Sequence, residues 1–138
     1  MSFYLALLTA LLWGIAPIFE KVGLRGNINP LVGVTMRSFV ILIVAAISLY
    51  FFRHTIATSQ ITLKNVVFII IGGLIAGFFA QWTFYAALKE GSASTVVPVV
   101  AIYPIVTFIL SAFFLQESVT WQKIFGIIMV VGGVILIK

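Results

Sequence analysis

The stretch Phe84–Glu117, FYAALKEGSASTVVPVVAIYPIVTFILSAFFLQE, decides how this chain is read. It joins the end of one apolar helix to a second through a Lys-Glu-Gly-Ser turn. The second helix contains Pro98 and Pro104, and no charged residue lies between Glu90 and Glu117. That gap is long enough to cross a bilayer. Each proline removes a backbone donor, so the carbonyls of Ser94 and Val100 lose their helical partners. In hydrocarbon, freed carbonyls persist only against protein, ligand or water. A helix built this way reads as the lining of a pathway.

Composition agrees. The chain has 138 residues, 63% of them hydrophobic and 8% charged, with a mean hydropathy of +1.28. Soluble domains carry about 25% charged residues. The fold class expected is all-α and polytopic, embedded in the lipid bilayer. The net charge of +5 comes from basic residues scattered singly at helix ends, where they meet headgroups, so no nucleic-acid partner is expected. The chain has no Cys and no Asp, and its only His is His54. Zinc clusters, thiol nucleophiles and Ser-His-Asp chemistry therefore lack their residues. No enzyme activity, cofactor or metal is expected. No cleavable leader is expected either, because the first apolar stretch runs on to Leu24.

Five apolar segments follow in order, at about Phe3–Leu24, Pro30–Phe52, Asn65–Leu88, Thr95–Leu115 and Trp121–Ile137. They form one expected membrane domain over residues 1–138. Asn29-Pro30 supplies a cap and a proline for the first turn of the second segment, and Gly91-Ser92-Ala93-Ser94 a turn and a hydroxyl cap for the fourth. Five spans put the termini on opposite sides. Arg53, Lys64 and Lys123 fall on the N-terminal side; Lys21, Arg25, Lys89 and Lys138 fall on the other. Orientation normally follows an excess of Lys and Arg on the cytoplasmic side. Near balance leaves insertion in both senses open beside a fixed topology set by other features.

Polar groups inside the spans are the candidate site. Arg37 lies about 10 Å deep in the second segment, and intramembrane ionisable residues are functional candidates by default; the alternative is that it snorkels to the surface. Glu20 lies at a similar depth. It can pair with Arg37, be satisfied at the interface, or act as a proton-coupling carboxylate. The first and last of these roles compete. Gly73, Gly77, Gln81 and Tyr85 recur at steps of four. The glycine pair fits close helix packing, and Gln81 and Tyr85 continue the stripe as cavity lining or as interhelical glue. Thr9, Trp13, Pro17 and Glu20 share one face of the first segment, with a kink at the proline. Tyr103, Thr107 and Ser111 share one face of the fourth. Gly126, Gly132 and Gly133 mark the fifth as a packing helix. Glu20, Arg37, Gln81, Tyr85 and Thr95 all fall in one half of the membrane, as a lopsided half-site. Two chains in opposite orientations would present such half-sites to opposite surfaces, the arrangement inverted repeats use for alternating access.

The chain resembles a single EamA-type unit of the drug/metabolite transporter superfamily, most like its five-helix single-domain members. The resemblance rests on LLWGIAPIFEKVGLRG (Leu11–Gly26), NP and TMRS within Asn29–Ser38, FYAALKEGSAS (Phe84–Ser94) and YPIVTFILSAFFLQESVT (Tyr103–Thr120). It implies a cavity lined by helices one, three and four, export or exchange of small metabolites, amino acids or drug-like solutes, and pairing of a lone unit with an oppositely oriented one. Lys21, Arg37, Gly91, Pro98, Pro104 and Glu117 match the family pattern. Glu20 is not a general family feature. Gln116 stands where relatives often carry glycine. The expected function is a transporter working by alternating access as an antiparallel homodimer. The pathway residues are Trp13, Glu20, Arg37, Gln81, Tyr85, Tyr103 and Thr107, with Pro17, Pro98 and Pro104 as helix breaks or gates. A lipid-linked sugar flippase subunit and a non-transport structural subunit are the alternatives, and a membrane-embedded enzyme a more distant one.

Overall fold

The computed structural model describes residues 1–57 and 59–137; Lys138, counted above among the basic residues, lies outside them. Helix α1 runs Ser2–Gly23 and α2 Pro30–Phe51. A short α3, Arg53–Ala57, occupies the start of the longest connection, so His54 lies in a helical turn rather than in an open loop. The third span, Leu63–Glu90, is built from α4 (Leu63–Leu74), a π-turn (Ile75–Phe79) and α5 (Ala80–Glu90). The fourth consists of α6 (Ala93–Val100) and α7 (Tyr103–Phe114), and α8 is Trp121–Ile137. Helix ends match the expected segments within about two residues, the usual uncertainty of such boundaries.

Local chemistry explains several of these limits. Asn29 caps α2, its side-chain oxygen accepting from the Leu31 amide at 2.9 Å, with Pro30 in the first turn. Thr62 caps α4 by accepting from the Asn65 amide at 3.2 Å. Such caps satisfy amides that the first helical turn leaves unpaired. Ser92 sits at the cap of α6, but its hydroxyl meets the hydroxyls of Ser94 and Thr95 instead of a backbone amide. The expected hydroxyl cap is thus replaced by a side-chain cluster.

Two features interrupt the spans. Between α6 and α7 the backbone tightens at Ala101 and Ile102, with the Ile102 amide reaching Val99 and the Ile105 amide reaching Ile102. Pro104 therefore falls in the first turn of α7, where its missing N–H costs little. Pro98 remains inside α6. In the third span the Ala80 amide reaches back five residues to Ile75, closing the wide turn. The extra residue rotates α5 relative to α4, so Gly73 and Gln81 do not share one uninterrupted helical face.

Two compact units form. Phe19–Glu90 is organised by the packing of α2 against α5, around Leu24, Val34, Tyr85 and Leu88, all buried. The other joins Met1–Ile18 to the chain from Gly91 on. There α6 packs with α8, and Val134 is buried. Most other apolar side chains are exposed, including Phe39, Leu42, Phe68 and Ile69. A soluble protein rarely shows apolar surface on this scale. On helices this long and apolar it is the surface lipid covers.

Candidate functional site

The polar residues of the first three spans converge at one end of the Phe19–Glu90 unit. Glu20 lies in the last turns of α1, Arg37 in the second turn or so of α2, and Gln81 and Tyr85 one turn apart on α5. The Gln81 amide nitrogen donates to Glu20 Oε1 at 3.2 Å, and the Tyr85 hydroxyl donates to the same oxygen at 3.1 Å. Arg37 Nε lies 3.7 Å from that oxygen too. Glu20 is largely covered, with 14% of its side chain exposed, against 36% for Arg37. The two neutral donors make hydrogen bonds at the long end of the usual range; the arginine, at 3.7 Å, is a looser and more exposed neighbour. All three converge on Oε1. Beside them a small cavity of about 160 Å³ is lined by Glu20, Leu24, Ile28, Gly33, Met36 and Tyr85.

What holds Tyr85 in place is its packing. The Tyr85 ring is buried beside Leu24, and both press on the backbone of Gly33 in α2. Gly33 was not among the residues singled out above. Its spacing four before Arg37 was the available signal, since that step puts both on one face of α2.

A second set of contacts closes this end of the unit. Lys21 donates from α1 to the carbonyls of Leu88 and Lys89, the latter at 3.4 Å. These carbonyls belong to the end of α5, where the last turn has no amides to fill them and the helix dipole favours a cation. Lys89 in turn donates to the Ile28 carbonyl at 2.6 Å, in the loop between α1 and α2. Gly26 gives that loop its turn, with φ at +79°. Lys21 matches the family pattern noted above, and these contacts give it a physical role.

The remaining expected pathway residues lie in the other unit. Trp13 and Tyr103 meet edge to face, their ring centroids 6.4 Å apart. The Thr107 hydroxyl donates to the Tyr103 carbonyl at 3.3 Å, and Thr9 to Leu5 at 2.9 Å. Both bonds stay within one helix. Pro17 is buried inside α1. At Gly73, Gly77, Gly132 and Gly133, no described atom beyond the adjoining residues and the helix's own backbone lies within 4 Å of where a Cβ would stand.

Four long apolar helices and a shorter fifth, with polar groups gathered inside them, define a multi-pass integral membrane protein. The sequence matches the model of the EamA-like transporter family over residues 1–138. The chain belongs to that family. It is 33% identical over 138 residues to an uncharacterized protein of Methanocaldococcus jannaschii, covering 97% of this chain and 93% of that one. It is also 29% identical over 133 residues to a Sinorhizobium protein described as an uncharacterized transporter, covering 96% and 92%. No solved structure matches the chain.

Proposed function

We propose that the chain works as a single five-helix unit, paired with an oppositely inserted copy of itself, and moves a small metabolite, amino acid or drug-like solute by alternating access. It is a transporter and not an enzyme, and its setting is a prokaryotic plasma membrane. The observation that carries this reading is the convergence of Gln81, Tyr85 and Arg37 on Glu20 at one end of the Phe19–Glu90 unit. A carboxylate this deep needs its donors, and donors that can change partners suit a site that opens and closes. Glu20, Arg37, Gln81 and Tyr85 would meet the solute; Trp13, Tyr103 and Thr107 would line its path; Pro17, Pro98 and Pro104 would let the helices yield. Gly73, Gly77, Gly132 and Gly133 would be free to receive helices of the second copy.

The near balance of basic residues supports insertion in both senses, and topology tests it directly. The chain has no native Cys, and Asn27 lies exposed in the α1–α2 loop. A single Asn27→Cys protein would be labelled in intact cells with an impermeant thiol reagent, with permeabilised cells as the control. Labelling of about half the molecules is the expected result. Labelling of all or none would rule out the antiparallel homodimer.

A further inference from the structure

The Glu20 cluster leaves the membrane prolines unexplained. Two of them, Pro17 of α1 and Pro98 of α6, line one cleft of about 300 Å³ in the unit containing Met1–Ile18. This is the lower end of the size range for small-molecule sites. Each proline lacks an N–H, and its ring stands against the carbonyl four residues earlier. Those carbonyls belong to Trp13 and Ser94. Ser94 itself lines the cleft, and so does Gly14, the neighbour of Trp13. One released carbonyl thus belongs to a residue of the lining, Ser94, and the other to Trp13, the residue next to Gly14 of the lining. The Trp13 carbonyl, at membrane depth, must find a donor, and the Ser94 carbonyl, in the first turn of α6, receives none from Pro98.

The rest of the lining narrows what that donor is. Ile18 and Val97 make an apolar wall, and no charged residue contributes. The Ser94 hydroxyl meets that of Ser92 at 3.1 Å. Gly14 leaves its side open, with no described atom beyond the adjoining residues and its own helix backbone within 4 Å of its Cβ position. The cleft is therefore apolar, with backbone acceptors at its edge and no amide or cationic side chain to receive an anion.

We propose that this cleft binds the amino or ammonium end of a small amphipathic solute, its N–H groups donating to the Trp13 and Ser94 carbonyls and its apolar body lying against Ile18 and Val97. The site stands whether or not the protein transports what it binds, so its test is a binding measurement.

The protein in lipid nanodiscs would be titrated with phenethylammonium, with its N,N,N-trimethyl analogue and with phenylacetate, followed by calorimetry. The trimethyl analogue keeps the charge and ring but has no N–H. The expected result is at least tenfold tighter binding of phenethylammonium than of the trimethyl analogue, and no binding of phenylacetate. Pro98→Ala restores an amide donor to the Ser94 carbonyl. It should reduce the preference several-fold without loss of fold, because alanine suits a helix better than proline. Gly14→Leu, which fills the cleft, should weaken both amines. Equal binding of the two amines, or a preference unchanged in Pro98→Ala, would overturn the proposal. A preference abolished by Glu20→Gln and retained in Pro98→Ala would also overturn it, placing amine recognition at the carboxylate.

Discussion

The backbone of Gly33 lies against the ring of Tyr85. A Cβ placed on this glycine would stand 3.1 Å from the ring's Cδ2 atom and 3.0 Å from Cδ2 of Leu24. Leu24 is 4% exposed and Tyr85 5%, so each would have to give by a few tenths of an ångström, toward the small cavity that both line. The ring that a methyl would displace is the one whose hydroxyl holds Glu20.

Gly33→Ala is therefore expected to destabilise the protein. Alanine gains about 1 kcal/mol in helix propensity, but overpacking costs about 1–3 kcal/mol. Gly33→Val should do more damage. Thermal unfolding in a fixed detergent checks this; a melting temperature that rises in both variants would show that Leu24 and Tyr85 can shift.

The hydrogen bond from Tyr85 to Glu20 should matter more than the Arg37 ion pair. A hydrogen bond to a charged group contributes about 1.5–3 kcal/mol. The Arg37 contact is longer, at 3.7 Å, and its guanidinium is the less covered partner, so a smaller coupling is expected. Double-mutant cycles on stability, pairing Glu20→Gln with Tyr85→Phe and then with Arg37→Met, measure both couplings. A larger coupling for arginine would reverse this ranking.

Lys21→Met should loosen the end of α5, because the Leu88 and Lys89 carbonyls lose their cationic donor. Amide exchange in the last turn of α5 is expected to speed up several-fold, and Lys21→Arg to restore much of the protection. Unchanged exchange in Lys21→Met would mean that other contacts hold this end.

Gln116 has a positive φ of 52°, alone among the described non-glycine residues. It follows the end of α7, where the Leu115 and Glu117 amides both turn back to the Ser111 carbonyl. The left-handed region costs an ordinary side chain about 1–2 kcal/mol. Gln116→Gly removes that strain but widens the unfolded ensemble, so a net gain of about 0.5–1 kcal/mol is expected. A lower melting temperature would show that the glutamine side chain makes up for its backbone.

Much of this was legible in the sequence. Apolar length located the spans, because in lipid only runs of that kind survive. Depth matching made a Glu20–Arg37 pair one of three open readings, and the step of four put Gln81 and Tyr85 on one face. The π-turn was not readable: Ile-Ala-Gly-Phe-Phe carries no residue that marks the extra step. Nor were the lysine ties, since Lys21 and Lys89 looked like ordinary interfacial charges, and only the fold shows that each ends on a carbonyl of another segment. Gly33 went unnoticed because what makes it indispensable, the Tyr85 ring, is distant in sequence.

The third span is longer than the others. It runs for 28 residues, against 22 in α1 and in α2. At 1.5 Å per residue that is about 40 Å against about 33 Å, while the hydrocarbon layer is about 30 Å thick. Tilt, or lipid that stretches around the helix, must absorb the excess. Lys64 lies near its start, where a lysine seeks headgroups, while Lys89 near its end is tied to the α1–α2 loop. The helix that carries Gln81 and Tyr85 is thus also the one that gauges the bilayer, and the acyl-chain length of the surrounding lipid becomes a variable acting on the polar cluster itself.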